Sequence, residues 1–327
     1  MRAWRVNQLG HPSSALSLEM IEAPEPRPGT TLVTVEAGNI NFADILLCQG
    51  IYQDRPGVPF TPGLETFGIV VASGDDGGPS PGSRVGGMSA LPSGGYAEQA
   101  LVRTESCLMF PPDVPGPDAT VLYSTYQTAH VGIHHRGRLQ AGEWLLVHGG
   151  AGGVGSAAIQ LGTAAGARVI ATAGGSDRAA ACRNHGAHHA VDYNDEDLYT
   201  AVMDITEGHG IDVAFDPVGG DAGEVTRRLM AWEGRLVVIG FASGGIPSYP
   251  ANHVLVKNYS VLGLHWSAYV NHNGRAVIEA AHEDLLRLYF QGSIRPPVSE
   301  TVPLESIPDA LDRLERRQVA GRLVLNP

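Results

Sequence analysis

The chain has 327 residues, of which 43% are hydrophobic and 17% charged, and its formal net charge is −12 with a sequence pI near 5.5. This composition is typical of a globular protein long enough for two domains and excludes global disorder. The negative charge disfavours contacts with a nucleic-acid backbone, and no apolar run has the length of a membrane span or a signal core. The three cysteines lie far apart, without a disulfide framework or a metal knuckle. We therefore expect a cytoplasmic protein with neither a membrane nor a nucleic-acid partner.

In chain order, the first hundred residues are predicted to be β-structure. Short apolar runs at 31–37, 68–71 and 96–102 are separated by clusters of proline and glycine that mark turns. From Ala119 onwards helices and strands alternate, which predicts a parallel sheet of about six strands with crossover helices. Its predicted strands are 144–147, 168–173, 190–191, 212–216, 235–240 and 260–264. The predicted helices are 156–165, 177–184, 197–207 and 222–232. The tail is predicted to hold helices at 276–290 and 307–316 and a strand at 322–325.

A glycine-rich turn lies between the predicted strand 144–147 and the helix that follows it. Gly150, Gly152 and Gly155 fit the G-x-G-x-x-G spacing in a strand–turn–helix setting. Glycines at these positions allow a tight turn, a close approach of the backbone to a pyrophosphate, and close packing of helix on strand. The pattern predicts dinucleotide binding, and an ordinary glycine-rich turn is the alternative.

The residues after the second predicted strand favour NADPH over NADH. NAD enzymes usually carry an acid at the tip of this strand, about 20 residues after the glycines, whereas here the strand ends in A-T-A-G-G at 171–175. Asp177 lies at about the right number of residues after the glycines. It falls, however, in the first helical turn after Ser176, a predicted helix cap, where an acid is favourable to the helix dipole. Arg178 is predicted to bind a 2′-phosphate. The alternative is that Arg178 is a solvated helix residue without a role in binding.

Several motifs along the chain resemble those of one family. They are N-F-A-D at 41–44, G-I-Y at 50–52, P-F-T-P-G-L-E-T-F-G at 59–68, G-G-Y-A-E at 94–98, G-G-A-G-G-V-G at 149–155, F-D-P-V-G-G at 215–220, G-F-A-S-G at 240–244 and G-R-L-V-L at 321–325. Together they resemble the medium-chain dehydrogenase/reductase superfamily, in particular its zinc-independent quinone oxidoreductase branch. The resemblance runs nearly from end to end of the chain.

The resemblance implies an α/β fold, with a GroES-like β-rich catalytic domain (1–118 and 266–327), a doubly wound Rossmann cofactor-binding domain for NADPH (119–265), and a homodimer. It also implies roles for individual residues. Tyr52 and Asn41 would line the nicotinamide and substrate cleft, with Thr128 near the nicotinamide. The cofactor would be held by two groups of residues and a closing arginine. The pyrophosphate and adenosine side would be bound by Ala151, Gly152, Gly153, Val154, Gly174, Ser176, Arg178 and Tyr193. The nicotinamide half would be bound by Val218, Phe241, Ser243, His265 and Trp266, with Arg322 closing on the cofactor.

Zinc-dependent members of the superfamily carry a Gly-His-Glu triplet, which here is Gly63-Leu64-Glu65. A leucine cannot bind zinc, so no catalytic metal is expected. Without a Lewis acid, oxidation of simple alcohols becomes difficult, whereas reduction of quinones or α,β-unsaturated carbonyls stays feasible. The developing oxyanion needs a donor: Tyr52 is the first candidate, Asn41 the second and ordered water the third.

The sequence leaves alternatives open for the function and for some residues. A reductase of 2-enoyl thioesters or enones is the alternative enzyme, and a cofactor-binding regulatory protein with little turnover is the alternative outside catalysis. Trp266, Phe60 and Tyr126 are candidates both for the walls of an acceptor pocket and for the core. His130 and His134, four residues apart, are expected on a helix surface rather than as a metal pair, because no third ligand accompanies them.

Overall fold

The computed structural model describes residues 1–316, 318–319 and 321–327. Contacts divide the chain into a first unit, Met1–Ser124 with Val298–Pro327, and a second unit, Thr125–Pro297. Within the described residues, no helix is long and apolar enough to cross a membrane.

The described residues form strands, α-helices and a few short 3₁₀ and π-helical segments. In chain order, the strands are β1 (Arg2–Val6), β2 (Leu16–Met20), β3 (Thr30–Asn39), β4 (Glu65–Ser73), β5 (Arg84–Met88), β6 (Gln99–Arg103), β7 (Leu108–Met109), β8 (Trp144–Val147), β9 (Arg168–Ala173), β10 (His189–Asp192), β11 (Ile211–Asp216), β12 (Met230–Val238), β13 (Ser260–Gly263), β14 (Val298–Val302) and β15 (Arg322–Leu325). The α-helices are α1 (Pro12–Ala15), α2 (Phe42–Gln49), α3 (Gly116–Val121), α4 (Gln127–His130), α5 (Gly153–Ala164), α6 (Ser176–Asn184), α7 (Leu198–Ile205), α8 (Gly220–Leu229), α9 (Ala251–Lys257), α10 (Arg275–Phe290) and α11 (Ile307–Glu315). Short 3₁₀ segments are Thr104–Ser106, Trp266–His272 and Leu304–Ser306, and π-helical turns are Leu122–Tyr126 and Val131–Arg136.

The first unit is built on a largely antiparallel sheet. Its strand order is β14-β15-β3-β4-β5-β7, with β6 paired to β3, and β1 and β2 form a separate hairpin. β14 and β15 run parallel, and β15 joins the sheet by antiparallel pairing with β3. The C-terminal segment therefore completes the sheet that the first hundred residues begin. α2 and α11 pack together, and their buried side chains share a core with Trp4 and Tyr96.

The second unit contains a six-stranded, all-parallel sheet in the order β10-β9-β8-β11-β12-β13. The predicted α/β class and the doubly wound sheet are confirmed. The strand order reverses between β8 and β11, and a crevice at the carboxyl ends of the strands beside such a point is where open α/β sheets bind their ligands. The sheet ends on one side at β13, which pairs only with β12 among the described strands.

Three differences from the predicted elements bear on the site. α5 begins at Gly153 instead of residue 156, since Gly153 and Gly155 take helical geometry. β12 begins at Met230, five residues early, because Met230 already pairs with Ile211 across a register shift. Residues 266–297 lie in the second unit, whereas the sequence assigned them to the catalytic domain. α10 packs on α4, where the Gln127 amide donates to the Ile278 carbonyl in the interior (3.1 Å).

Candidate functional site

The glycine loop of the second unit leads into a helix whose first turn has no side-chain cap. α5 begins at Gly153 with Gly152 as its N-cap, and no side chain caps the first turn. Unpaired N–H groups at the start of a helix attract phosphate. Two glycines of the loop have no space for a side chain. A Cβ at Gly155 would lie 2.2 Å from the Gly149 carbonyl oxygen, and a Cβ at Gly150 would lie 2.7 Å from Cys182 Sγ. Ala151 and Val154 complete the loop, and an uncapped helix start of this kind suits a pyrophosphate.

On one side of this loop lie the residues predicted to surround the adenosine ribose. β9 ends just before Gly174, and the Tyr193 ring packs so closely on Gly174 that a Cβ there would lie 2.7 Å from the phenol oxygen. Tyr193 remains 52% exposed. Ser176 is the first residue of α6, and its expected role as the cap is corrected: the N-cap is Gly175, whose positive φ of 95° favours glycine. Arg178 lies in the first turn of the same helix.

An acid that the sequence analysis did not single out holds the turn after β9. Asp192 ends β10, and its Oδ1 accepts the backbone N–H of Gly175 at 2.7 Å and that of Asn194 at 3.1 Å. This carboxylate oxygen is thus bound to the protein backbone. Asp177 is exposed and lies in the first turn of α6, where a negative charge is favourable to the helix dipole.

The residues predicted for the nicotinamide half lie beyond β11, β12 and β13. The turn after β11 is held by Asp216, whose Oδ1 accepts the N–H groups of Val218 and Gly219, each at 2.9 Å. Ser243 donates its backbone N–H to the Val218 carbonyl at 3.0 Å, and the Phe241 ring packs on Gly219. The structure therefore brings Val218, Phe241 and Ser243 together. Two further predicted residues, His265 and Trp266, follow β13.

Thr128 lies in α4, a single regular turn between the two π-helical segments. Such segments widen a helix and are frequent at functional sites. The neighbouring Tyr126 is fully buried, and its hydroxyl donates to Gln160 Oε1 at 2.9 Å, so it is a core residue and not a pocket wall. Phe60 of the first unit is likewise fully buried.

In the first unit, Glu65 is the centre of a polar cluster. Its Oε2 accepts three hydrogen bonds: from Asn39 Nδ2 at 3.0 Å, from Asn41 Nδ2 at 2.9 Å and from Ser124 Oγ at 2.7 Å. The Arg322 guanidinium donates to Asn41 Oδ1. The Asn41 amide is therefore held between a carboxylate and a guanidinium. Burial lowers the pKa of Arg322, while the Glu65 carboxylate opposes that shift.

Tyr52 packs against the apolar cluster of Val6, Leu47 and Phe60. Burial raises the pKa of Tyr52 to about 12, with the negative charges of Glu65 and Asp44 contributing to the rise. No hydrogen bond to the Tyr52 hydroxyl is found in the described part of the chain. The phenol is thus protonated at neutral pH, and its hydroxyl is available as a donor.

A buried carboxyl fixes the local backbone around these residues. Asp44 accepts hydrogen bonds from the Tyr96 hydroxyl (2.9 Å) and from the backbone N–H groups of Asn41, Gly63 and Leu64 (3.0 to 3.1 Å). Burial raises the pKa of Asp44 to about 7, although these donors favour its ionised form. Asp44 thereby ties the start of α2 to the 63–64 turn. Within the described residues, no group of three or more His, Cys, Asp or Glu side chains is arranged to hold a metal ion.

The structure corrects the expectation for two histidines of the second unit. His130 and His134 are only partly exposed, and His130 Nε2 lies 3.0 Å from Asp284 Oδ2 on α10. The two rings contact each other with centroids 4.7 Å apart.

Comparison with known proteins gives the same architecture for the whole chain. Residues 27–116 match the alcohol dehydrogenase GroES-like domain and residues 153–283 the zinc-binding dehydrogenase domain. A rat (Rattus norvegicus) protein named quinone oxidoreductase-like protein 2 is 37% identical over 339 residues, covering 99% of this chain and 96% of its own.

Two solved structures complexed with NADPH are also similar. Escherichia coli quinone oxidoreductase superposes with a TM-score of 0.90 at 26% identity, and a mycobacterial protein with 0.91 at 26%. Both alignments cover 100% of each chain. The chain belongs to the zinc-binding dehydrogenase family, in the quinone oxidoreductase branch of the medium-chain dehydrogenase/reductase superfamily.

Proposed function

We propose that the protein is an NADPH-dependent, zinc-independent oxidoreductase that reduces quinones by direct hydride transfer. The observation that carries the proposal is the glycine loop at the uncapped start of α5, next to the point where the strand order reverses. Backbone N–H groups there suit a pyrophosphate, and relatives of the same fold are solved with NADPH.

NADPH is proposed over NADH because of the charges beyond β9. Arg178 lies in the first turn of α6, where a guanidinium can form paired hydrogen bonds with a 2′-phosphate. Asp192, the acid at the neighbouring strand end, has Oδ1 engaged by two backbone N–H groups. In this proposal Arg178 and Tyr193 hold the adenosine ribose and its phosphate, Ala151 to Val154 the pyrophosphate, and Val218, Phe241 and Ser243 the nicotinamide half.

When bound, the nicotinamide would supply a hydride, and one proton, delivered through the site or from solvent, would complete the conversion of a quinone to a hydroquinone. A carbonyl oxygen that gains negative charge needs a hydrogen-bond donor. Tyr52 suits this role, since its hydroxyl is protonated and unpaired in the described chain. Asn41 is the weaker candidate because its amide already bonds Glu65 and Arg322. Leu64 stands where the zinc-dependent relatives have a histidine ligand, so donors of this kind replace a metal.

The test is NADPH consumption in the presence of a chelator, with an ortho-quinone and a short 2-enoyl thioester in parallel. Consumption with the quinone and not the thioester supports the proposal. Consumption with the thioester alone overturns the substrate class and leaves the cofactor assignment in place. Tight NADPH binding without consumption by either acceptor would instead favour a regulatory, cofactor-binding protein.

A further inference from the structure

His148, the first residue after β8, is a buried polar group with no part in the proposed chemistry. Its side chain lies inside the second unit, with 1% of the residue exposed. The backbone N–H of His148 donates to the Phe215 carbonyl at 3.1 Å, which continues the pairing of β8 with β11. The residue therefore lies directly before the glycine loop.

Both ring nitrogens of His148 are hydrogen-bonded to threonines from different elements. Nδ1 lies 2.9 Å from Thr172 Oγ1 on β9, and Nε2 lies 2.6 Å from Thr226 Oγ1 on α8. The Thr226 hydroxyl donates its proton to the Ala222 carbonyl at 2.7 Å, so Thr226 must accept from His148. The proton of the neutral ring is thus on Nε2, and Nδ1 accepts from the Thr172 hydroxyl. Burial lowers the pKa of His148, which is consistent with a neutral ring.

The two threonines belong to opposite halves of the predicted cofactor cradle. Thr172 lies two residues before Gly174, and its carbonyl accepts the loop N–H of Gly150 at 2.9 Å. Thr226 lies on the helix that follows the Val218–Gly219 turn. The His148 ring therefore connects β9, which ends at the proposed adenosine side, with α8, which follows the proposed nicotinamide side.

We propose that His148 is a positioning residue that fixes these two halves in one geometry, so that a dinucleotide binds across a preformed cradle. The inference rests on the proposed NADPH binding by the second unit. A preformed site does not have to order its own elements when the ligand binds, which increases affinity. Loss of either threonine bond is expected to weaken NADPH binding about fivefold, equivalent to about 1 kcal/mol for a net hydrogen bond.

The test measures the equilibrium binding of NADPH and of adenosine 2′,5′-bisphosphate, which represents only the adenosine half. Thr172→Val and Thr226→Val each remove one hydroxyl at constant shape, and His148→Phe removes both ring nitrogens. Thr226→Val is expected to weaken NADPH about fivefold and to change bisphosphate binding less than twofold. Thr172→Val weakens both ligands about fivefold. Thr206→Val is the matched control, because Thr206 is also buried in the second unit and, as the C-cap of α7, donates to the Val202 carbonyl of that helix.

The decisive result is the coupling between the two threonines. In the His148→Phe background, neither valine substitution should weaken NADPH binding by more than a further twofold, because the ring that connects them is gone. In the wild-type background, the double variant Thr172→Val/Thr226→Val should bind NADPH about as weakly as either single variant, because each substitution breaks the same bridge. If the double variant instead loses the product of the two single effects, the ring does not connect the two halves and the inference is overturned. This comparison uses only the threonine variants, so it can be made even if His148→Phe does not fold. Unchanged NADPH affinity in a folded His148→Phe protein with a lower Tm would also overturn it. The wild type is measured first, since failure to bind either ligand would refute the proposed function itself.

Discussion

The three hydrogen bonds on one oxygen of Glu65 make Glu65→Gln the most informative substitution in the first unit. Glutamine keeps the shape and one acceptor oxygen but removes the charge. Hydrogen bonds to charged groups contribute about 1.5–3 kcal/mol each and neutral ones about 0.5–1.5. Weakening the bonds from Asn39, Asn41 and Ser124 by about 1 kcal/mol each gives a loss of about 3 kcal/mol. For domains of this size that corresponds to a fall in Tm of about 6–12 °C.

The assay is thermal unfolding followed by calorimetry, with steady-state kinetics on the folded variant. Because the Asn41 amide loses its charged anchor, the KM for the acceptor is expected to rise, while the Kd for NADPH stays within twofold. Glu98→Gln is the control, since Glu98 also accepts hydrogen bonds but pairs with Arg2 at the surface, where ion pairs contribute little. A Tm within 2 °C of the wild type for Glu65→Gln would refute the argument that this oxygen organises the cluster.

Four further outcomes are expected. Arg178→Ala should weaken NADPH binding by about one to two decades, the loss of a charge-assisted contact, and spare NADH; equal losses for both cofactors in titration calorimetry would contradict the 2′-phosphate contact. Tyr52→Phe should lower kcat with a quinone about 10- to 100-fold at unchanged NADPH affinity, and an unchanged kcat would assign the oxyanion donor elsewhere. We propose that a second copy covers the exposed side chains of α9 and the edge of β13 that no described strand pairs with. Leu255→Glu should therefore give monomers in analytical ultracentrifugation, whereas Met20→Glu, equally exposed in the first unit, should not. Burial lowers the pKa of His134 to about 4, so the folded protein resists a proton that the unfolded chain takes up near pH 6.5. The free energy of unfolding should therefore fall between about pH 6.5 and 4, by up to about 3 kcal/mol, and denaturant titrations of His134→Gln should show a flatter profile.

The sequence predicts elements well where apolar patterning and glycine punctuation agree. The strands at 144–147, 168–173 and 322–325 have the bounds that the structure shows. At the end of the helix predicted over 222–232 the pattern is ambiguous, because 230–232 continues an apolar helical spacing while β12 has already begun by pairing with β11. Such a boundary is decided by pairing between distant strands, and a short stretch of sequence carries no information about that pairing.

The polar clusters were harder to predict for the same reason. Glu65 bonds Asn39 and Ser124 across 26 and 59 positions of sequence, and no spacing rule relates such residues. Glu65 lies in the P-F-T-P-G-L-E-T-F-G motif at 59–68, which indicates a family and not a role for this side chain. Helical spacing alone places His130 and His134 on a surface, because it does not reveal that α10 packs against this region.

The residue at position 41 shows why the first unit needs an amide at this point of its cluster. Asn41 donates to the Glu65 carboxylate and accepts from the Arg322 guanidinium through opposite ends of one side chain. An aspartate there would place a second carboxylate against Glu65, and a leucine would leave the half-buried guanidinium without this acceptor, and each change would destabilise the cluster. An amide bridges the two charges without adding a third. Leu64 stands in place of a metal ligand, and two donors near the cluster make no hydrogen bond among the described residues: the Tyr52 hydroxyl and Arg322 Nε. The Arg322 Nε atom is buried, so the Tyr52 hydroxyl is the donor on which the proposed chemistry depends.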